Sequence, residues 1–361
     1  MIVYILIVSI LIVAHILVND KKQKDLLFFC IVGFIIILQG LRSFSVGVDL
    51  QSYELYFYQN SQINIIDIIK IYKTECLFHI MNRLIFLLGG NFRVVLFVTS
   101  IIIFVPLALI IKKYSKMPYI SLLLFVLLGF FAFSLSGLRQ TAAIGITIIA
   151  FMFIKKKKIV PFIIFVFIAT LFHNSAVIFF LAYPIYNFKL TKNNVIWLIL
   201  FAIPIFIFRK EIVVNLGKLY NDYYEVVETK AYNFLLMLIA FFVASIIILI
   251  RNEKKETFGL INFLFASVVI QFFVGYSQVV MRFNYYYIIY LIFLIPELIL
   301  NIERYSYRIA FSSFIIGFLG LQFFMQIKNN VMQIYPYTFL TKDLYWFLDF
   351  TSILVKRGVN T

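Results

Sequence analysis

Single arginines, carboxylates and one histidine stand where apolar runs of this chain end, and together they could bind an anion and move a proton. A guanidinium donates two parallel hydrogen bonds, which suits a phosphate or carboxylate ligand. A carboxylate or an imidazole could take a proton from a hydroxyl group. The arginines are Arg42, Arg83, Arg93, Arg139, Arg209 and Arg282, and the candidate proton acceptors are Asp49, Glu75 and His173.

The first candidate group lies around a predicted turn at Gly47. Arg42 and Asp49 bracket this turn, and Tyr53 follows Asp49 by one helical turn. This spacing would bring a cation, a carboxylate and a phenol together at the edge of a membrane. The alternative is an arginine that snorkels from the end of one helix and an aspartate that caps the next.

Arg139 is the strongest candidate ligand by position. It lies in the sequence SGLRQ, between two apolar helices with almost no loop. An unpaired charge at or below the membrane interface costs several kcal/mol, and a simple anchor would not need that depth. We therefore expect Arg139 to bind substrate, with Gln140 as a further donor, although an ion pair between helices would also explain it.

His173 lies in the sequence FHNSA, which interrupts 29 residues that otherwise indicate two short helices or one re-entrant hairpin. The lysines on both flanks stay on one side, so the histidine faces the other. A lone histidine on an apolar background is usually structural. The neighbouring Asn174 and Ser175 favour a cavity at a broken helix instead.

Two tyrosine-rich stretches complete the candidates. Arg282 begins RFNYYY directly after a long apolar run, and we expect the three tyrosines to form an aromatic belt. Further on, Tyr335 and Tyr337 flank Pro336 in a rigid turn, where their phenols could contact substrate.

The elements that position these residues are predicted to be membrane-spanning helices. The chain is 63% hydrophobic and 13% charged, with a mean hydropathy of +1.01, which excludes a soluble globular protein. Twelve apolar segments could cross a membrane of about 30 Å, and they are Ile2 to Val18, Leu26 to Leu41, Val94 to Ile111, Tyr119 to Leu135, Leu138 to Ile154, Ile159 to Leu171, Ser175 to Tyr186, Val195 to Phe208, Tyr232 to Ile250, Phe258 to Val280, Phe283 to Leu300 and Ile309 to Met325.

Two further stretches, Leu77 to Leu88 and Leu344 to Leu354, are short or interrupted by polar residues, so they suggest interfacial helices. We therefore expect an all-α polytopic bundle of about 12–14 transmembrane helices. Every second polar break is rich in lysine, and these breaks hold 17 of the 32 Lys and Arg residues. The positive-inside rule assigns them to the cytoplasm, so the candidate site residues lie outside.

This pattern predicts one polytopic domain over residues 1–361 with three outer segments. The first outer loop, 42–93, has the composition of amphipathic helices on the membrane surface. The second, 209–231, mixes carboxylates, tyrosines and basic residues. The third is an outer or interfacial C-terminal segment, 326–361.

The ordered set of motifs resembles the EpsG family of Wzy-type polysaccharide polymerases. It comprises RSFSVGVDLQSY, Glu75 before a short amphipathic helix, SGLRQTAA, FHNSA, MRFNYYY followed by Ile295-Pro296, and IYPYTF, and it covers nearly the whole chain. The resemblance implies a glycosyltransferase of the GT-C-like integral-membrane type, with interfacial helices in its first outer loop. It would act at the outer face of a bacterial cytoplasmic membrane, in capsule, exopolysaccharide or O-antigen synthesis.

The implied reaction joins repeat units linked to undecaprenyl diphosphate. The growing glycan would be transferred to the non-reducing sugar of the next lipid-linked unit. The implied partners are these lipid-linked oligosaccharides, the growing glycan and membrane lipid, with a flippase and a chain-length regulator beside the enzyme and no nucleic acid. A flippase for lipid-linked oligosaccharides, an O-antigen ligase and a membrane acyltransferase stay open as alternatives.

For this chemistry the protein must bind the diphosphate, neutralise developing charge and deprotonate a sugar hydroxyl. Arg139 and Arg282 are the first choices for the diphosphate, and Arg42 is the third. For the base the order is Asp49, then Glu75, then His173. The outer loops contain no pair of aspartates typical of a metal site, so we expect neither a metal nor another cofactor.

Overall fold

The computed structural model describes residues 1–18, 20–219, 232–250 and 255–339, which are largely α-helical. The α-helices in chain order are α1 (Ile2–Leu17), α2 (Lys21–Leu41), α3 (Leu50–Gln62), α4 (Ile65–Tyr72), α5 (Cys76–Leu87), α6 (Phe92–Tyr114), α7 (Pro118–Leu127), α8 (Phe130–Ser136), α9 (Leu138–Lys155), α10 (Ile159–Phe172), α11 (Ala182–Asn187), α12 (Lys192–Ile207), α13 (Arg209–Leu219), α14 (Tyr232–Ile250), α15 (Lys255–Val274), α16 (Gln278–Ile288), α17 (Leu291–Leu300) and α18 (Tyr305–Asn329). Two 3₁₀ segments, Lys73–Glu75 and Asn174–Leu181, precede α5 and α11.

The chain is an all-α polytopic membrane protein, as the sequence predicts. Five of the described helices are long and apolar enough to cross a membrane, or seven when each of two bent pairs counts as one span. Four further apolar helices are shorter. The expected 12–14 crossings therefore exceed the number that length and composition identify, because several predicted spans are short or broken.

Three predicted spans differ in their details. Tyr119 to Leu135 is split into α7 and α8, which meet at an angle of 57°. Phe283 to Leu300 is split into α16 and α17, which meet at 42°. Ser175 to Tyr186 forms a 3₁₀ helix followed by the short α11. The two bent pairs each pass as one candidate span, whereas Ser175 to Tyr186 is not among the candidate spans. Apolar composition alone does not predict where the backbone bends.

The first outer loop folds into the three helices α3, α4 and α5. The chain turns sharply between α4 and α5, where Lys73 has a φ of 41° and the 3₁₀ turn follows. Helix α5 covers the stretch expected to be interfacial, Leu77 to Leu88, up to Leu87, and it is not among the candidate spans. Its buried face includes His79 and Asn82, three residues apart, and packs against α3.

Helix α9 is the centre of the bundle. It packs against α6 and α10, and 72% of its 18 residues are buried. Gly145 makes the crossing with α6 possible, because a Cβ atom there would lie 2.3 Å from the carbonyl oxygen of Ile102. Small residues at such crossings let helix backbones approach closely in membranes. The close packing at Gly145 fixes the position of α9 against α6. The first turn of α9 carries Arg139.

The helix ends form two chemically different ends of the bundle. At the end we call the lysine end, Lys112 pairs with Asp25, the Tyr119 hydroxyl donates to the Lys24 carbonyl at 2.6 Å, and Lys116 lies 3.4 Å from Glu297. At the other, which we call the arginine end, α2 finishes and α9 begins. The grouping agrees with the alternation of lysine-rich breaks in the sequence, and the sidedness in the membrane stays a prediction.

The C-terminal segment of the described chain closes the arginine end. Backbone N–H groups of Ser43, Gly47 and Val48 donate to carbonyls of Thr338, Gln333 and Met332 at 2.9 to 3.0 Å. One isolated antiparallel bridge joins Arg42 to Phe339. Residues 332–339 of the predicted outer segment therefore lie against the start of the predicted first outer loop.

Two of the predicted outer segments extend beyond what the structure describes. In the segment 209–231, helix α13 is described, and residues 220–231 lie outside the described residues. The stretch Leu344 to Leu354 also lies outside them.

Candidate functional site

The site is centred on the carboxylate of Glu75, which joins three elements that are distant in sequence. Its Oε2 lies 2.7 Å from Arg139 Nη1, in the first turn of α9. Its Oε1 lies 2.7 Å from His173 Nδ1, at the end of α10, and accepts the Asn174 N–H at 2.8 Å. Three of the residues selected from the sequence therefore form one hydrogen-bonded cluster, which we call the Glu75 cluster (Glu75, Arg139, His173).

Local backbone structure explains why these side chains can meet. Glu75 ends the 3₁₀ turn and stands directly before α5. His173 follows α10 with an extended backbone, φ −158° and ψ 123°, and the 3₁₀ helix begins at Asn174. The break frees the N–H of Asn174, because the first N–H groups of a helix have no partner within it. The carboxylate of Glu75 accepts this hydrogen bond.

The cluster keeps Glu75 ionised. Desolvation on its own would raise the pKa of Glu75, but the hydrogen bonds from His173 and from the Asn174 N–H, together with the charges of His173 and Arg139, lower it to about 2. An ionised carboxylate only accepts hydrogen bonds, so His173 Nδ1 must carry the proton in this contact. In a neutral imidazole this leaves Nε2 with a free lone pair.

The rings of Tyr53 and Tyr56, which we call the aromatic collar, flank Arg139. The guanidinium carbon lies 5.8 Å from the ring centres of both Tyr53 and Tyr56, within the range of cation–π attraction. Tyr53 is buried, and desolvation raises the pKa of its phenol. Tyr72 stacks on His79 with ring centres 3.4 Å apart, and Tyr56 contacts the edge of the same imidazole. The collar holds Arg139 in one orientation.

Sequence reasoning did not select the polar residues beneath this collar. His79 Nδ1 lies 3.0 Å from Asn60 Nδ2, and burial together with the charge of Arg139 lowers the pKa of His79 to about 4. The side-chain atoms of Asn82 and the Nε2 of His79 are buried without a hydrogen-bond partner among the described residues. The available signal was the spacing of His79 and Asn82 on one face of an amphipathic helix.

Gln140 and Arg282 extend the site from α9 towards α16. The side-chain amide of Gln140 is buried and donates to the backbone carbonyl of Arg282 at 2.6 Å. The side chain of Arg282 is exposed, and within the described chain its guanidinium has no hydrogen-bond or ion-pair partner. Gln140, the residue after Arg139, therefore holds the backbone of Arg282 in place.

Arg42 and Asp49 are not part of the Glu75 cluster. Arg42 is fully buried, and its guanidinium donates to the carbonyls of Val46 at 3.3 Å, Leu135 at 3.2 Å and Gln39. These contacts indicate that it stabilises the loop before α3. Asp49 is exposed at the start of α3 and makes no side-chain capping hydrogen bond.

The tyrosines selected from the sequence lie in different environments. Tyr337 donates its hydroxyl to the Leu38 carbonyl at 2.6 Å, whereas Tyr335 is exposed. Tyr286 and Tyr287, expected in an aromatic belt, are buried, so that prediction is wrong. Their hydroxyls contact Ser175 Oγ at 3.1 Å and the Ile178 carbonyl at 2.8 Å, which ties α16 to the 3₁₀ helix after His173.

No group of three or more His, Cys, Asp or Glu residues within the described ranges could hold a metal ion.

A model of the EpsG family matches residues 25–339, which is most of the chain. The chain belongs to the EpsG family. No curated protein and no solved structure matches it.

The EpsG family is a Wzy-type polymerase-like family of membrane proteins in polysaccharide biosynthesis. Its match spans every element of the Glu75 cluster, from the turn before α5 to the break after α10. The resemblance inferred from the sequence motifs is therefore confirmed. Family membership also makes a lipid-linked glycan the expected class of substrate.

Proposed function

We propose that this EpsG-family protein is a polymerase that joins repeat units linked to undecaprenyl diphosphate, at the outer face of a bacterial cytoplasmic membrane. The observation that carries the proposal is the Glu75 cluster, in which one carboxylate holds both a histidine and an arginine. A glycosyl transfer needs a base for the acceptor hydroxyl and cations for the leaving diphosphate, and the cluster offers both.

His173 is the proposed general base. With its Nδ1–H directed at Glu75, its Nε2 can accept the proton of a sugar hydroxyl. Glu75 orients the ring and stabilises the imidazolium that forms, as the carboxylate does in other base–carboxylate pairs. A carboxylate with a pKa of about 2 is itself a weak base, so these contacts favour His173 over Glu75. Asp49 lacks any such partner among the described residues.

Arg139 and Arg282 are the proposed ligands of the diphosphate. Arg139 uses Nη1 for Glu75, and its Nε is buried without a hydrogen-bond partner among the described residues. Such an orphan donor is costly and suggests that a ligand completes it. The side chain of Arg282 is exposed, and we propose that it turns towards a second phosphate. Gln140, through its bond to the Arg282 carbonyl, would fix the spacing of the two arginines.

In the proposed reaction, the acceptor hydroxyl oxygen attacks the anomeric carbon of the growing glycan. The bond from that carbon to the diphosphate oxygen breaks, and undecaprenyl diphosphate leaves with the electron pair. The hydroxyl proton passes to His173 Nε2. The two arginines stabilise negative charge as it develops on the diphosphate, and an electrostatic contribution of this kind is often the largest single one in catalysis.

The test is polymer formation by purified protein in liposomes that contain undecaprenyl-diphosphate-linked oligosaccharide, with products separated on gels. His173→Gln and Glu75→Gln should each lower turnover by about 10²–10⁴-fold, the range for loss of a positioned general base or of the group that orients it. His15→Gln, in α1, and Asp67→Asn, on exposed α4, are the matched controls and should give ladders like those of the unaltered protein.

Asp49→Asn tests whether Asp49 is the base instead of His173. If Asp49→Asn abolishes the ladder while His173→Gln does not, Asp49 is the base. Unaltered ladders from both Glu75→Gln and His173→Gln would refute the Glu75 cluster as the catalytic centre. A wild-type protein that forms no polymer from lipid-linked repeat units would refute the proposed activity itself.

A further inference from the structure

A groove of about 560 Å³ lies between α12, α14 and α15, and its walls are apolar. A volume of this size falls within the range of ligand sites, about 300–1,000 Å³. Ala202 and Phe242 in the lining are buried, whereas Leu236 and Val243 are exposed, so the groove has an open side. None of the three helices carries a residue of the Glu75 cluster.

The groove is deeper than one leaflet of a bilayer. On α14 its lining runs from Tyr232 to Ile247, which is 15 positions along the helix. At a rise of about 1.5 Å per residue, this distance is about 22 Å. One leaflet takes up half of a hydrocarbon core of about 30 Å. The groove therefore suits a hydrocarbon chain that is longer than the acyl chain of an ordinary phospholipid.

Arg209 lies at the mouth of the groove, where α12 ends. Its guanidinium carbon lies 4.1 Å from the ring centre of Phe206, which lines the groove, and 5.4 Å from that of Tyr276, just after α15. Its Nη1 donates to the Phe206 carbonyl, and one such bond does not saturate a guanidinium, which has five N–H donors. The groove thus ends at a positioned cation, and this arrangement suits a long chain with an anionic head.

The mouth of the groove belongs to the arginine end of the bundle. Tyr276 lies between α15 and α16, and Arg282 follows it by six positions, in α16. The backbone carbonyl of Arg282 accepts the hydrogen bond of Gln140, which is the residue after Arg139. An anionic head at Arg209 would therefore lie at the same end of the bundle as the Glu75 cluster.

The proposed polymerisation needs a second lipid site. Both of its substrates carry an undecaprenyl diphosphate anchor, and Arg139 and Arg282 are assigned to the anchor that leaves the growing glycan. The attacking hydroxyl of the acceptor is on its non-reducing sugar, at the opposite end of the repeat unit from its own diphosphate. The anchor of the acceptor must therefore bind at a distance from His173, on other helices.

We propose that the groove holds the polyprenyl chain of the incoming lipid-linked repeat unit and that Arg209 binds its diphosphate, an inference that rests on the proposed function. Because the surrounding lipid is as apolar as the groove walls, burial alone gives no preference for this chain. The length of the groove and the planar donor group of Arg209 supply the preference instead. No bond is made or broken at this site.

Binding of undecaprenyl diphosphate to the purified full chain in detergent tests the site without turnover. In native mass spectrometry with excess phosphatidylglycerol, the unaltered protein should bind two molecules. Arg209→Gln should weaken one of the two binding events about tenfold, as expected for loss of one charged contact. Ala202→Phe, which adds a ring within the groove, should abolish that event.

Two control variants carry the same changes elsewhere. Arg304→Gln removes an arginine at the lysine end, whose guanidinium carbon lies 5.5 Å from the Tyr307 ring. Ala310→Phe adds a ring at an exposed position of α18. Both should bind two molecules, as the unaltered protein does.

Turnover distinguishes the two lipid sites. A lipid-linked unit methylated at its acceptor hydroxyl can act only as a donor. A unit with a methylene group in place of the oxygen between sugar and diphosphate can act only as an acceptor. Arg209→Gln should raise the KM for the acceptor about tenfold and leave the KM for the donor unchanged. A general loss of structure would alter both values.

The outcomes separate this inference from the proposed function. Two bound molecules without polymer formation, with one lost in Arg209→Gln, would support the groove and refute only the polymerase activity. Equal occupation of the groove by phosphatidylglycerol would indicate bulk lipid and overturn the inference. Unchanged binding and an unchanged acceptor KM in Arg209→Gln would also overturn it. If Ala202→Phe does not fold, the result with Arg209→Gln decides.

Discussion

At the scale of single residues, the proposed chemistry depends on a carboxylate, Glu75, that orients its partners and is not the proposed base. Glu75 accepts three hydrogen bonds, from His173, the Asn174 N–H and Arg139, and they lower its pKa to about 2. Its fixed negative charge therefore persists throughout the physiological range. This charge orients the histidine and the arginine at once, so that base and anion ligand have a defined separation.

The low pKa of Glu75 predicts a pH dependence of stability. Its folded-state pKa, about 2, lies below the ordinary value of 4.5. Glu75 therefore contributes stability that is fully present above about pH 4.5 and is lost as the pH falls towards 2. After allowance for solvent screening, we expect a loss on the order of 2 kcal/mol. The melting temperature in detergent, measured from pH 6 down to pH 3, should fall.

Two variants check this assignment. Glu75→Gln should have a lower melting temperature at neutral pH and a weaker decline on acidification, because its amide does not titrate. Asp67→Asn changes an exposed carboxylate of α4 and should keep the slope of the unaltered protein. An identical slope for Glu75→Gln and the unaltered protein would exclude Glu75 as the titrating group.

Arg139→Lys tests the difference between a simple cation and a planar donor. Lysine retains the charge, so an ion pair with Glu75 could survive, but it cannot bond Glu75 and a diphosphate in the same fork geometry. We expect turnover to fall about 10²–10³-fold, the range for loss of one preorganised donor. Arg83→Lys is the control, since Arg83 bonds the Ser61 carbonyl elsewhere in the first outer loop. Full activity of Arg139→Lys in the polymer assay would contradict a bidentate role.

Residue types in the sequence were enough to select Glu75, Arg139 and His173, but not to show that they meet. They are 64 and 98 positions apart along the chain from Glu75 to its two partners. Arg42 shows that the sequence also does not reveal which partners a side chain will have. A sequence indicates that an arginine ends a helix, but not that three backbone carbonyls will accept its hydrogen bonds.

At the scale of elements, helix ends and helix breaks create the site. The break at His173 supplies a free N–H, and the first turn of α9 supplies Arg139. Hydropathy predicted where apolar segments lie, because apolar length is what a membrane requires. Hydropathy could not predict the bend at Gly129, which lies between α7 and α8 and has a φ of 87°. That bend depends on local backbone conformation.

At Gly47 both the backbone conformation and the neighbouring atoms disfavour any side chain. Its φ is 122°, and a Cβ atom would lie 2.2 Å from the carbonyl oxygen of Leu135. Gly47→Ala must therefore strain the turn and push the loop away from the end of α8, at a cost of about 1–3 kcal/mol. We expect a clearly lower melting temperature and reduced polymer formation.

Gly33→Ala is the matched control for that change. No atom lies within 4 Å of a Cβ built on Gly33, which is in α2. The same added methyl group should therefore leave the melting temperature unchanged or slightly raised. A Gly47→Ala protein as stable as Gly33→Ala would show that the loop before α3 adapts without cost.

At the scale of the whole molecule, the bundle separates two kinds of cationic chemistry. At one end Arg139 pairs with the Glu75 carboxylate and lies near tyrosine rings, while Lys113, Lys116 and Lys155 line a cavity of about 430 Å³ at the other. Lysine near anionic lipid fixes orientation, and arginine suits a diphosphate. The proposed diphosphate site therefore lies at the arginine end.

This separation predicts which face each end occupies. In a variant with Cys30→Ser and Cys76→Ala, single cysteines at position 49 and position 282 should react with an impermeant thiol reagent added outside intact cells. Cysteines at positions 113 and 156 should react only after the membrane is opened, because the positive-inside rule places the lysine end in the cytoplasm. All four positions are exposed, so access depends on the side of the membrane. Labelling of position 156 but not of position 49 from outside would reverse the orientation, and the Glu75 cluster could then not act on lipid-linked units at the outer face.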